Sequence, residues 1–322
     1  MHNINKEEYR EISAKKVFFA LFIFLLIGGA VGFGISYFFV NKADGSKEVR
    51  QGGYQFISPL LECESDDKLA DREIISLESI VTEMTANQLK KDSINDIAVY
   101  YRDLNNGPWY GVNQDALFAP ASLLKVPMMI ALYKKAETDP SFLSLILVPE
   151  GSENGETVEA LIEKMIIDSE NYAFDLLSNV VDFDEIRLMH DVLDIPFSQV
   201  DSTDNYITVR KYSSLFRVLY NASYLNREYS EKALSLLARA NYDSGIANNL
   251  PKDLVIANKF GIRSENDDKD QQLHDCGIIY YPNHPYLLCV MTKGNDVNEM
   301  EKVIQDISKS VFDEINTRYQ KF

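Results

Sequence analysis

Phe118–Tyr133 reads FAPASLLKVPMMIALY, an apolar run interrupted by one hydroxyl, Ser122, and one cation, Lys125. A proline suits the first turn of a helix, so the stretch predicts a helix over Leu117–Lys135 that opens near Pro120. Ser122 and Lys125 stand at i and i+3, which puts them on one helix face with Cβ atoms about 5–6 Å apart. At a helix N-terminus the peptide dipoles favour a developing alkoxide. A lysine among Leu123, Leu124, Val126, Pro127 and Met128 is desolvated, which lowers its pKa and frees an amine to accept the serine proton. The pattern therefore predicts a nucleophilic serine with a lysine base.

Partners for this pair must come from elsewhere in the chain. A Ser-His-Asp arrangement is disfavoured. His190 falls in a helical run, at its surface or half-buried, His274 precedes a strand, His284 sits in a turn, and no GxSxG elbow presents a serine. SxxK recurs at Ser13/Lys16 and Ser65/Lys68 without comparable context. SxN occurs several times, but Ser169/Asn171 alone falls between two apolar helical runs, EALIEKMIID and YAFDLL. That is a helix junction whose polar groups can point across a cleft. Lys259-Phe260-Gly261 ends the strand-like run LVIANKF, placing Lys259 at a cleft edge and a glycine where a substrate backbone approaches closely.

Around these motifs the periodicity changes along the chain. Asp71–Lys91 repeats as a helix, Asp96–Asp103 and Trp109–Val112 as strands, and Ser141–Val200 as short helices with no clear strand. Val209–Tyr220 and Ser230–Ala240 are further helices. Leu254–Phe260, Cys276–Tyr281 and Tyr286–Thr292 are strands, the last two joined through Pro282–Pro285, and Asp296–Phe312 closes as an amphipathic helix. The expected fold class is α+β (α/β): one antiparallel sheet made from both chain ends, flanked by the N- and C-terminal helices, with an all-α subdomain inserted. Cys276 and Cys289 are expected diagonal across the hairpin, as free core thiols.

The chain has 322 residues and a net charge of −17, which argues against nucleic-acid phosphate as a partner. No CxxC or Cys/His cluster suggests a metal, and no cofactor is expected. Val17–Val40 carries no charge over 24 residues. As a helix it spans about 36 Å, enough to cross a bilayer core of about 30 Å, and it is too long for a signal h-region. The expected organisation is a cytoplasmic tail (1–16), a transmembrane anchor (17–40), a linker (41–70) and a catalytic domain (71–322). Within the linker, Tyr54–Glu62 is apolar enough to lie against the domain. Lys15 and Lys16 before the anchor favour a cytoplasmic N-terminus and an extracytoplasmic domain at the cell membrane.

Taken together, Ser122-Leu-Leu-Lys125, Ser169-Glu-Asn171 and Lys259-Phe-Gly261, in this order, resemble the class A β-lactamase group of penicillin-recognising serine hydrolases, whose signature is SxxK, SDN, KTG. The resemblance runs from about Asp71 to Phe322 and includes MIIDSENYAFDLL and LHDCGIIYYPNHPYLLCVMTKG. It implies Ser122 as the acylated nucleophile, Lys125 as its base, and Ser169 as proton donor to the leaving nitrogen. Asn171 would bind the substrate amide, Lys259 would hold Ser169 and a substrate carboxylate, and the N–H groups of Ser122 and Ile262 would form an oxyanion hole. The implied substrate is a β-lactam or a related amide. The alternatives are a D,D-carboxypeptidase or transpeptidase acting on peptidoglycan-like peptide, and a non-catalytic binding domain. The chain departs from the family pattern at three places. Glu170 replaces an aspartate. Phe260 replaces a hydroxyl residue that binds a carboxylate, with Arg263 or Ser264 as nearby substitutes. No glutamate in a Glu-x-x-Asn pattern lies between Asn171 and Thr208, where Asp201 and Asp204 are the acids near a water-activating position.

Overall fold

A computed structural model describes residues 49–62, 72–105, 107–181, 183–196, 204, 206–264 and 271–320, with Ile23 and Gly28 as isolated positions. The expected anchor Val17–Val40 therefore lies almost wholly outside the described residues. Among the described residues no helix is long and apolar enough to cross a membrane. The chain divides after Gly45, and its strands and helices from Val49 onward belong to the unit Ser46–Phe322.

That unit opens with strands β1 (Val49–Arg50) and β2 (Leu60–Glu62), then helix α1 (Arg72–Gln88), β3 (Ile94–Asp103), β4 (Trp109–Val112) and β5 (Leu117–Phe118). A 3₁₀ turn over Ala121–Leu124 leads into α2 (Lys125–Thr138), followed by β6 (Ile146–Leu147), β7 (Glu156–Thr157), α3 (Val158–Ile167), α4 (Asn171–Ser178) and α5 (Phe183–Val192). The chain returns through β8 (Ile207–Thr208), α6 (Val209–Tyr220), α7 (Arg227–Leu237), β9 (Ile256–Arg263), β10 (Gln271–Ile279), β11 (Tyr286–Gly294) and α8 (Val297–Tyr319). Five strands form one antiparallel sheet in the order β4-β3-β11-β10-β9, so both chain ends contribute to it and β9 is an edge.

The uninterrupted apolar reading of β11, YLLCVMT, follows from burial on both faces. Leu287, Cys289 and Met291 pack towards the helical subdomain, and Leu288 and Val290 pack towards α1 and α8. Leu77 and Val81 of α1 and Met300, Val303, Ile304, Ile307 and Val311 of α8 cover that second face, at the helical spacing their sequence shows. On the first face, α2 is buried over most of its length and forms the axis of the helical block.

The structure corrects several expectations. The helix expected over Leu117–Lys135 begins only at Lys125. Leu117 and Phe118 pair instead with Thr208 and Ile207, and Pro120 separates the strand from the turn. The helical block contains the short hairpin β6–β7. His274 lies inside β10, fully buried. Cys276 faces Cys289 directly, because the ladder closes at Ile279↔Tyr286 and leaves Tyr280–Pro285 as the connection; the two are joined as a disulfide with Cα atoms 3.9 Å apart. His190 is more enclosed than expected, buried in α5 with Nδ1 against the carbonyls of Ile195 and Pro196.

Part of the expected linker packs on the domain. Glu231 accepts hydrogen bonds from the N–H groups of Gln55, Phe56 and Ile57, and the Tyr280 hydroxyl donates to Phe56 O at 2.9 Å.

Candidate active site

The turn that carries Ser122 rests against the edge strand β9. A Cβ built on Gly261 would come within 2.9 Å of Pro120 O and Leu123 Cγ and within 3.1 Å of Leu123 N. Glycine at 261 thus admits the turn that carries Ser122, where the sequence suggested a close approach of substrate backbone. Ala121, immediately before Ser122, has φ +48°, a left-handed conformation costly for a residue with a Cβ. Ser122 is half-buried, and Lys125, in the first turn of α2, is 3% exposed.

Lys125 reaches across to the junction of α3 and α4. Its Nζ donates to Ser169 O, to Ser169 Oγ at 3.2 Å and to Asn171 Oδ1 at 2.8 Å. Ser169 also takes a positive φ, +56°, between the end of α3 and Glu170, which precedes α4. From the sheet side, the wholly buried Lys259 donates to Ser169 Oγ at 2.9 Å and to Phe260 O at 3.1 Å. Lys125, Ser169, Asn171 and Lys259, from three separate stretches of sequence, thus share one hydrogen-bonded cluster.

Burial pulls both ammonium groups down. Desolvation lowers Lys125 to about 8, against the opposing fields of Asp175 and Glu170. Lys259 falls to about 7, through desolvation first and the charge of Lys125 second, against Asp275. Two lysines that share a hydroxyl and titrate near neutrality can pass a proton through Ser169 Oγ.

The edge position of β9 bears on Ile262. Phe260 O accepts from a side chain, so the Phe260 backbone faces the open edge; strand alternation turns the N–H of Ile262 the same way. Phe260 itself stacks on Tyr242 with centroids 3.9 Å apart, and Lys259 Nζ stands 4.3 Å from the Phe260 ring centre. Where the family pattern has a hydroxyl, the cleft edge here presents an aromatic face.

Sequence reading missed the supports of Lys259. Asp275, wholly buried on the neighbouring strand, accepts from Asn258 Nδ2 at 3.0 and 3.1 Å and from Ile246 N at 2.8 Å. Burial raises its carboxyl to about 6, opposed by these donors and by Lys259. A polar Asn-Lys pair inside an apolar strand was the available signal. Of the two acids near the expected water-activating position, Asp201 lies outside the described residues and Asp204 is exposed. Two residues on, Tyr206 N donates to Phe118 O at 3.0 Å, so that segment returns beside β5, which leads into the turn of Ser122. Between Glu185 and Glu228 the chain holds no glutamate.

A family model described as the β-lactamase enzyme family matches residues 79–315. No curated protein sequence matches this chain. Among solved structures, a β-lactamase from Chitinophaga pinensis is 18% identical, covering 75% of this chain and 100% of that one, with a TM-score of 0.66. A class A β-lactamase representative from Bacteroides cellulosilyticus is 16% identical, covering 77% and 99%, also at 0.66. A mutant of PBP-A, solved as its acyl-enzyme complex with penicillin G, is 18% identical, covering 77% and 98%, at 0.64.

The seat at Gly261 is testable. Gly261→Ala forces the turn off β9, and overpacking of this kind costs about 1–3 kcal/mol. Thermal unfolding should show a chain that is destabilised yet folded, and labelling of Ser122 should slow by about 5- to 150-fold where that cost is felt in full at the transition state, one decade for each 1.4 kcal/mol or so. Labelling at the unaltered rate would show that the turn tolerates a Cβ there.

Proposed function

This chain belongs to the β-lactamase enzyme family of serine hydrolases that act on amide bonds, and we propose that it is acylated on Ser122 by β-lactams or related peptide-like amides. The observation that carries this reading is the sharing of Ser169 Oγ by Lys125 and Lys259. In its neutral form Lys125 takes the Ser122 proton as Oγ attacks the carbonyl carbon. The C–N bond breaks, Ser169 protonates the leaving nitrogen, and the lysines return a proton to Ser169. Backbone N–H groups of Ser122 and Ile262 stabilise the oxyanion, a role worth about 3 kcal/mol per donor. Asn171 orients the substrate amide.

Release of the acyl group is proposed to be slow. The absence of glutamate between Glu185 and Glu228 removes the usual water-activating side chain, and general-base catalysis typically contributes about 10²–10⁴-fold. The likeness to PBP-A, solved as a penicillin acyl-enzyme, favours the related reading of a penicillin-binding protein acting on cell-wall peptide. The uncharged run Val17–Val40 further supports attachment to the cell membrane by one N-terminal span, with the catalytic domain outside.

Intact-mass measurement after penicillin treatment should show a single adduct, mapped to the Ser122 peptide, absent from Ser122→Ala and persisting after free penicillin is removed. An adduct that survives the substitution would remove this mechanism, and prompt loss of the adduct would remove slow release.

The active form carries one proton across the two lysines, so kcat/KM for acylation should be bell-shaped with its optimum between about pH 7 and 8. Below that window both lysines are charged and the base is lost. Above it both are neutral and the proton source is lost. A rate constant flat from pH 6 to 9 would contradict the assignment of either lysine.

For the anchor, protein extracted from membranes should retain its N-terminal peptide on mass spectrometry; a soluble form beginning near Ala43 would show cleavage.

A further inference from the structure

Ala119, three residues before Ser122, has its backbone held by side chains in place of a strand. Its N–H donates to Gln272 Oε1 at 3.0 Å, and its carbonyl oxygen lies 2.9 Å from His274 Nε2. Gln272 and His274 are alternate residues of β10, so they project from one face of the sheet, and both are wholly buried. The ring's protonation follows from these contacts. A carbonyl oxygen can only accept, so the 2.9 Å contact assigns the ring proton to Nε2, aimed at Ala119 O, while Thr292 N lies 3.3 Å from Nδ1. Burial holds this imidazole neutral, with its pKa at about 4. The ring is wedged further by Phe118, edge-on at 5.5 Å between centroids.

The neighbouring backbone is tied just as closely. Lys293 Nζ donates to Leu117 O at 2.6 Å, Tyr206 N to Phe118 O at 3.0 Å, and Leu123 N to Pro120 O at 2.9 Å. Pro120 has no N–H to offer, and Ala121 is in a left-handed conformation. Ala119 is therefore the last residue before Ser122 whose N–H and C=O both bond to side chains of the sheet. The two peptide planes that flank Ala119, fixed in this way, and the seat at Gly261 together locate the turn that carries Ser122.

We propose that Gln272 and His274 are positioning residues for the nucleophile: by clamping both polar groups of Ala119 they set where Ser122 Oγ stands relative to Lys125 and Ser169. The proposal rests on Ser122 being the acylated residue and assigns the clamp a share of the acylation rate rather than of substrate affinity. A displacement of about 1 Å in a reacting group can cost about 10²-fold, which sets the scale of the effect.

The test uses His274→Phe, which keeps a ring against Phe118 without the donor, and His274→Gln, whose amide N–H can reach Ala119 O. Gln272→Met serves as a second variant that removes the other half of the clamp. Stopped-flow acylation by a chromogenic cephalosporin separates the dissociation constant of the first complex from the acylation rate constant. A fluorophosphonate reports serine reactivity independently of substrate recognition. In His274→Phe and Gln272→Met both rate constants should fall about 10- to 100-fold, with the cephalosporin dissociation constant within about twofold of wild type. His274→Gln should recover most of the loss. Unchanged rates in folded His274→Phe or Gln272→Met would overturn the clamp. So would a loss confined to the dissociation constant, or no recovery in His274→Gln. If His274→Phe does not fold, Gln272→Met decides by the same measurements. Failure of the wild-type chain to form any cephalosporin adduct would instead count against the substrate class, and the fluorophosphonate rates would still judge the clamp.

Discussion

Lys125 and Lys259 meet on the hydroxyl of Ser169, one arriving from a helix and the other from the sheet. Two such ammonium groups do not keep an ordinary affinity for their protons, because burial strips water from both and Lys259 also feels the charge of Lys125. Their pKa values fall towards neutrality, which is where a base and a proton donor are useful. The arrangement needs a serine at a helix junction in a left-handed conformation, a strain of about 1–3 kcal/mol kept because the flanking helices over-determine it.

The sheet holds the other half of the site. It is buried on both faces, by α1 and α8 on one side and by the helical block on the other, so its strands have little freedom to shift. On that rigid base β9 offers Lys259, a glycine seat for the turn of Ser122, and an open edge for Ile262 N–H. Asn258 and Asp275 sit beneath, a buried polar pair whose carboxyl offsets part of the positive charge above it. The Phe260–Tyr242 stack marks one of the places where this chain departs from the family pattern. It sets an aromatic ring beside Lys259 where that pattern has a hydroxyl.

Much of this is legible in the residues alone. Short apolar runs bounded by turns place the strands of a sheet buried on both faces, and a period of 3.6 places the helices that cover it, each on one buried face. Ser122/Lys125, Ser169/Asn171 and Lys259 stand out because polar groups at apolar junctions need a partner or a purpose. What local pattern does not convey is contact between distant segments. The length of the connection at Tyr280–Pro285 decides that Cys276 opposes Cys289, and a one-residue change in register would have put the two on opposite faces. Gly261 looks like room for a ligand until Pro120 and Leu123 are seen against it. His274 and Gln272 look like polar residues misplaced in a strand until Ala119, more than 150 positions earlier, supplies the groups they bind. Residue type and spacing thus set which groups are available and on which face of an element each lies, since both follow from the chain's own geometry. Which groups meet depends on the packing of elements far apart in sequence, and neither composition nor period records that distance.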